Sequence, residues 1–166
     1  MYKRILVPID LQEPDDRARC MGLERSIELC RLYKAQLYIL TVVPDMGMPI
    51  VANYFPPDAG DKIVSDAEEM LHDLVGVYIP DDIDVNYLVA QGSIYRRILR
   101  MAEKINADLI VMPAHRLKLQ DYLLGTNTAK VVRHAACSVL VVRYDSEESC
   151  AIFDQSGDDG DDGDDE

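Results

Sequence analysis

The residues best suited to chemistry lie in one stretch, Leu109 to Arg143, which reads LIVMPAHRLKLQDYLLGTNTAKVVRHAACSVLVVR. An apolar run ends at Met112, and an extended link carrying Pro113, His115 and Arg116 leads to Gly125-Thr126-Asn127-Thr128. A helix is expected to start there. Gly125 permits close backbone approach or a positive φ, and Thr126 and Asn127 are good capping residues. The free N–H groups of a helix start, with its dipole, favour an anion such as phosphate. Arg116 is near enough in sequence to add a charge-assisted contact. Most Gly-Thr-Asn triplets merely cap helices, and that plainer reading stays open.

Other motifs are missing. No GxGxxG follows the first apolar run, and the sequence has no GxxxxGK[ST], GxSxG or HExxH. The three histidines (His72, His115, His134) are far apart and have no flanking ligand pattern. The four cysteines (Cys20, Cys30, Cys137, Cys150) show neither CxxC nor Cys/His metal spacing, so they read as buried reduced thiols.

Charge is unevenly shared. The net −13 over 166 residues includes 11 acids and no Lys or Arg between Asp145 and Glu166, leaving 19 acids against 17 bases, a net −2, in residues 1–144. Neither part carries the basic excess of a nucleic-acid binder. No apolar run approaches the ~20 residues that cross a bilayer, and the first apolar stretch is too short for a secretory signal. A cytoplasmic protein without membrane insertion is the expectation. Residues 145–166 end in SGDDGDDGDDE, a self-repelling run with nothing to bury, and read as a disordered acidic tail. It is either a solubiliser or, through Cys150-Ala151-Ile152-Phe153, a docking peptide. The folded domain is 1–144.

The elements that would position the site follow from periodicity. Strands are expected at Ile5–Ile9, Leu37–Val43, Val85–Ala90, Leu109–Met112 and Val139–Val142. Helical faces are Cys20/Leu23/Ile27/Cys30, Ile63/Ala67/Met70/Leu74/Val77, Ile94/Ile98/Met101/Ile105 and Leu124/Thr128/Val131/Ala135. Strand–helix alternation with near-continuous apolar strands implies an α/β fold, a doubly wound five-stranded parallel sheet with helices on both faces. Ligands of such sheets bind beyond the C-terminal strand ends at the switch in strand order. The relevant loops are then Pro8–Glu13, Val42–Gly60, Ala90–Ser93 and Met112–Thr128. The second is long, Pro/Gly-rich and carries Tyr54 and Phe55, as a lid would.

Residues 109–143 resemble the signature of the universal stress protein (UspA) family: a fourth strand ending in Met-Gly-Ser-His-Gly, a gap, Gly-Ser, and a helix running into Arg-His-Ala-x-Cys-Pro-Val-Leu-Val-Val-Arg. Ile5-Leu6-Val7-Pro8-Ile9-Asp10 is similar to the family's opening strand, Ile39-Leu40-Thr41-Val42-Val43 to its second, and Gly92-Ser93 to its third-strand exit. The likeness spans residues 2–143 and implies a Rossmann-like sheet of the adenine nucleotide alpha hydrolase kind. The ATP-binding branch reads G-x2-G-x9-G-[ST]. Here Pro113 and Arg116 occupy the leading glycine positions and the gap is one residue shorter, which is closest to the F/G-type subgroup.

The resemblance implies roles. Asp10 would bond the adenosine moiety, with Pro8 and Ile9 shaping the pocket, and Val42 would meet adenine. Met112 and Pro113 would line the ribose, with His115 and Arg116 near the phosphates. Gly125, Thr126 and Asn127 would bind phosphate oxygens, assisted by Thr128. Plainer readings remain: Asp10 caps a turn, His115 braces a loop, Met112 is core. His134 and Cys137 are read as structural. The family also implies a homodimer through Val139–Val142, with a tetramer as the larger alternative. The expected function is binding of ATP, with Mg²⁺, as a stress sensor or regulator with little or no hydrolysis, because no general base stands out beyond Asp10 and His115. The alternative is a nucleotide-independent accessory protein, for example of a transporter; a weak ATPase ranks last.

Overall fold

β-branched and leucine-rich runs form five strands, β1 (Arg4–Ile9), β2 (Gln36–Val43), β3 (Val85–Gln91), β4 (Leu109–Pro113) and β5 (Ser138–Val142). The computed structural model describes residues 1–12, 16–43, 59–113 and 125–143. Four helices are described: α1 (Asp16–Tyr33), α2 (Ala59–Tyr78), α3 (Ile94–Ile105) and α4 (Thr126–His134). The strands make one sheet in the order β3-β2-β1-β4-β5, and every neighbouring pair is parallel. This is the doubly wound α/β arrangement that the alternation requires.

Strands buried on both faces account for the apolar runs. Ile5, Leu6, Val7, Leu37, Ile39, Leu40, Ile110 and Val111 are fully buried. On one face, α1 and α2 pack over Ile5, Val7, Leu37, Ile39 and Val111. On the other, α3 and α4 place Ile98, Ala102 and Val131 over Leu6, Leu40 and Ile110.

The turns follow local chemistry. Asn106 ends α3 in the left-handed region (φ 50°), a conformation asparagine tolerates, and its N–H returns to the Ala102 and Glu103 carbonyls. Two residues on, the Asp108 carboxylate accepts the backbone N–H groups of Lys3 (2.8 Å) and Arg4 (2.9 Å). That ties the start of β1 to the entry of β4.

Two expectations change. The buried stripe of α2 is Ala67, Leu71, Val75 and Tyr78, whereas Met70 is 50% and Val77 69% exposed. The expected face Ile63/Ala67/Met70/Leu74/Val77 therefore straddles the core face and a second face. Cys20 is disulfide-bonded, not reduced, while Cys30 and Cys137 are free thiols. The partner of Cys20 lies outside the described residues. So do the tail, the proposed lid and the end of the domain at 144.

Candidate functional site

The geometry begins with a ladder that stops early. β1 is registered with β2 along its whole length, to Ile9↔Thr41, but with β4 only at Ile5↔Leu109 and Leu6↔Ile110. Pro8, in the central strand, has no N–H to give to a ladder. β1 and β4 are the neighbours where strand order reverses, so the crevice opens where the fold rule puts it.

A cavity of about 550 Å³ occupies this position, within the usual ligand-site range of ~300–1,000 Å³. Seven of the residues named from sequence line it: Pro8, Ile9 and Asp10 after β1, Val42 at the end of β2, Met112 and Pro113 at the end of β4, and Asn127 in the first turn of α4. Their walls are mostly apolar. Met112 is 5% exposed and serves as core and cavity floor together.

The remaining predicted residues stand differently. Gly125 precedes α4 at φ −50° and ψ 145°, so the positive φ that only glycine adopts easily is not used. Among the described residues, an added Cβ there would meet Thr128 Oγ1, at 3.9 Å. Gly125 and Thr126 are exposed at the helix start, Thr128 is buried, and none of the three lines the cavity. His115 and Arg116 lie outside the described residues.

Asp10 already has a local task. Its Oδ1 accepts the Gln12 N–H at 2.9 Å, an Asx-type turn, and its carbonyl accepts from Arg19 Nη1 at 3.4 Å. Among the described residues the second carboxylate oxygen makes no such turn bond. Reading the sequence alone missed the helix walls: Arg19 from α1, and Ile63, Asp66, Ala67 and Met70 from α2. The signal was there in part, since Ile63 and Met70 belong to the α2 pattern that did not fit one buried stripe. Gly92 (φ 128°) donates its N–H to the Val43 carbonyl at 3.0 Å, fixing the exit of β3 beside the end of β2; Ile94 and Ile98, which follow, line the cavity. Among the described residues no group of three or more His, Cys, Asp or Glu side chains could hold a metal ion, and no helix is long and apolar enough to cross a membrane.

Comparison with known proteins gives one consistent result. The universal stress protein family matches residues 1–143. Universal stress protein G of Salmonella typhimurium is 29% identical over 146 residues, covering 86% of this chain and all of that protein. Among solved structures, hypothetical protein MJ0577 is similar with a TM-score of 0.71 at 24% identity, covering 88% of this chain and 99% of that one. The universal stress protein of Archaeoglobus fulgidus in complex with dAMP has a TM-score of 0.62 at 21% identity, covering 86% and 98%. A universal stress protein in complex with cAMP has 0.53 at 20%, covering 86% and 97%. At these identities the structures speak for the fold.

Proposed function

This chain belongs to the universal stress protein family, and we propose that it binds an adenine nucleotide, ATP in the first place, as a cytoplasmic sensor or regulator with little or no hydrolysis. The observation that carries the reading is the cavity at the β1/β4 switch, of nucleoside size and walled by Pro8, Ile9, Val42, Met112 and Pro113. Apolar walls suit a purine, and polar groups among the lining, Asp10, Thr41 and Asn127, suit its edge and the ribose. The dAMP and cAMP held by two fold relatives are ligands of the same chemistry.

Each residue has an assigned task. The Asp10 oxygen not used by Gln12 accepts from the ribose or the base, and the Val42 backbone meets the adenine edge. Met112 and Pro113 carry the ribose. The N–H groups that open α4 at Thr126 and Asn127 face the phosphates, with Gly125 leaving the approach unobstructed and Thr128 bracing the turn. His115 and Arg116 complete the phosphate end, and Mg²⁺ is carried by the phosphates. The described walls hold no paired acid and base aligned on a common atom, which suits retention of the nucleotide more than turnover.

The protein acts as a homodimer through β5. This strand is a sheet edge, with Leu140 38% exposed, and Val132 on the neighbouring α4 is 46% exposed. An apolar edge of this kind is suited to pairing with a second copy.

The test is displacement of a fluorescent adenine nucleotide from the purified protein. ATP should displace it to completion and GTP should be weaker, and Asp10→Ala should reduce affinity roughly tenfold, the equivalent of one good hydrogen bond. Absence of saturable binding at millimolar nucleotide would reject the reading.

A further inference from the structure

Three of the four cysteines have a defined state. Cys20 is disulfide-bonded, whereas Cys30 and Cys137 are free thiols. Cys30 lies ten residues along the same helix, about 15 Å away and so beyond the ~7 Å that a disulfide allows between Cα atoms. Cys137 precedes β5 and packs on the other face of the sheet, against the α3/α4 core. One cysteine of the chain remains, Cys150.

Its place in the sequence fits. Cys20 and Val142, the last residue of β5, belong to the same buried cluster beneath α1 and α2. The path between them is short. Cys20 is two residues from Gly22, Gly22 packs on Pro113, and Pro113 is registered with Val142 in the next strand. Summed, these steps span roughly 16 Å. Eight residues lead from Val142 to Cys150, and extended they reach ~26 Å. The chain leaving β5 is long enough to return to α1.

We propose that Cys20 and Cys150 form a disulfide that staples the segment after β5 to the first half of α1 and so clamps the α1 wall of the crevice. Arg19, next to Cys20, lines the cavity, and Gly22 rests on Pro113, which lines it too. Closing the staple joins the two sulfurs and passes two protons and two electrons to a low-molecular-weight disulfide, which is cleaved to two thiols. Reduction is the reverse. Cys20 is fully buried, so an outside thiolate must attack the Cys150 sulfur and expel Cys20 as a thiolate into apolar surroundings, which is slow. The bond therefore persists even where free thiols are abundant. It links positions 130 residues apart, and cross-links across long loops restrict the unfolded chain most. The acidic run Asp158 to Glu166 is in turn tethered at α1, eight residues beyond the staple.

Peptide mapping of the full-length chain, purified without reductant and alkylated in denaturant before digestion, tests the pairing. The expected result is one linked pair, Cys20 with Cys150, and alkylation of Cys30 and Cys137. Cys150→Ser leaves every described residue as it is and should free Cys20 as a third thiol. Its Tm should fall on the order of 10 °C, to that of the natural chain after reduction. The amide resonances of Arg19 to Leu23 and the Met112 methyl should shift as well, with Ile83 still. An alkylated Cys20 in the natural chain would overturn the proposal. So would a disulfide-linked dimer on a non-reducing gel, since the bond would then join two copies, or a Cys150→Ser chain whose Tm and α1 resonances are unchanged.

Discussion

A Cβ added to Gly22 in α1 would lie 2.7 Å from Cγ of Pro113, the last residue of β4. The helix therefore rests on the strand end with no room for a methyl group, and the contact sits directly behind the cavity wall. One turn on, Ser26 is fully buried and its hydroxyl donates to the Gly22 carbonyl of the same helix at 2.7 Å, so this side of α1 is closely packed. Gly22→Ala gains ~1 kcal/mol in helix propensity but forces a shift against a rigid ring, an overpacking cost of ~1–3 kcal/mol. The expected net is a loss of about 1 kcal/mol, read as a lower Tm in thermal unfolding, together with weaker nucleotide binding. An unchanged Tm and affinity would refute the close approach.

Acid sensitivity should centre on Asp108. The Lys3 and Arg4 N–H groups hold its carboxyl below the usual carboxylate range. A carboxyl depressed in the folded state contributes stability above its unfolded value of ~3.9, lost as pH falls through the lower folded value. Asp108→Ala should therefore cost about 1 kcal/mol at neutral pH, a modest figure because the site is partly solvated, and the gap from the natural chain should close in acid. Denaturant titrations at pH 7 and pH 3 measure both; a gap that stays constant would contradict the assignment.

Much of this was legible in the sequence because strand burial and apolar runs are the same physical fact. The five strands fall within a residue or so of their expected bounds, and Cys20, Leu23, Ile27 and Cys30 do form the inner face of α1. What periodicity could not separate was core from cavity. Ile63 and Met70 are apolar because they line the crevice, while Leu71 and Val75 are apolar because they are buried. Arg19 and Asp66 were invisible as wall residues, since no local pattern marks a polar side chain that tertiary packing turns toward a crevice. Gly125 was read for close backbone approach or a positive φ, and the backbone does not adopt the second.

The free thiols should be slow to react. Burial pushes the Cys30 thiol up to about 11, and burial also raises that of Cys137, which is partly exposed. At pH 8 roughly one Cys30 in a thousand is thiolate. Maleimide labelling mapped by mass spectrometry should find Cys137 modified before Cys30, and Cys30 only on unfolding. Rapid labelling of Cys30 in the native protein would contradict its placement.

Leu140→Lys puts a charge on the exposed edge of β5. If that edge joins two copies, sedimentation should move from dimer to monomer with the thermal transition of the domain little changed. A natural chain that is already monomeric, or a dimer that survives the substitution, would place the contact elsewhere or remove it.

The most direct measurement is a methyl-resolved NMR titration of the full chain with ATP. Ile9, Ile98 and Met112 line the crevice and Ile83, at the far end of the sheet, does not. The expected result is saturable shifts of the first three with Ile83 still, lost in Gly125→Val, whose side chain has room to fold but would crowd the phosphates. No shift at millimolar ATP, or shifts that leave Ile9 and Met112 unmoved, would contradict a nucleotide site at the β1/β4 switch.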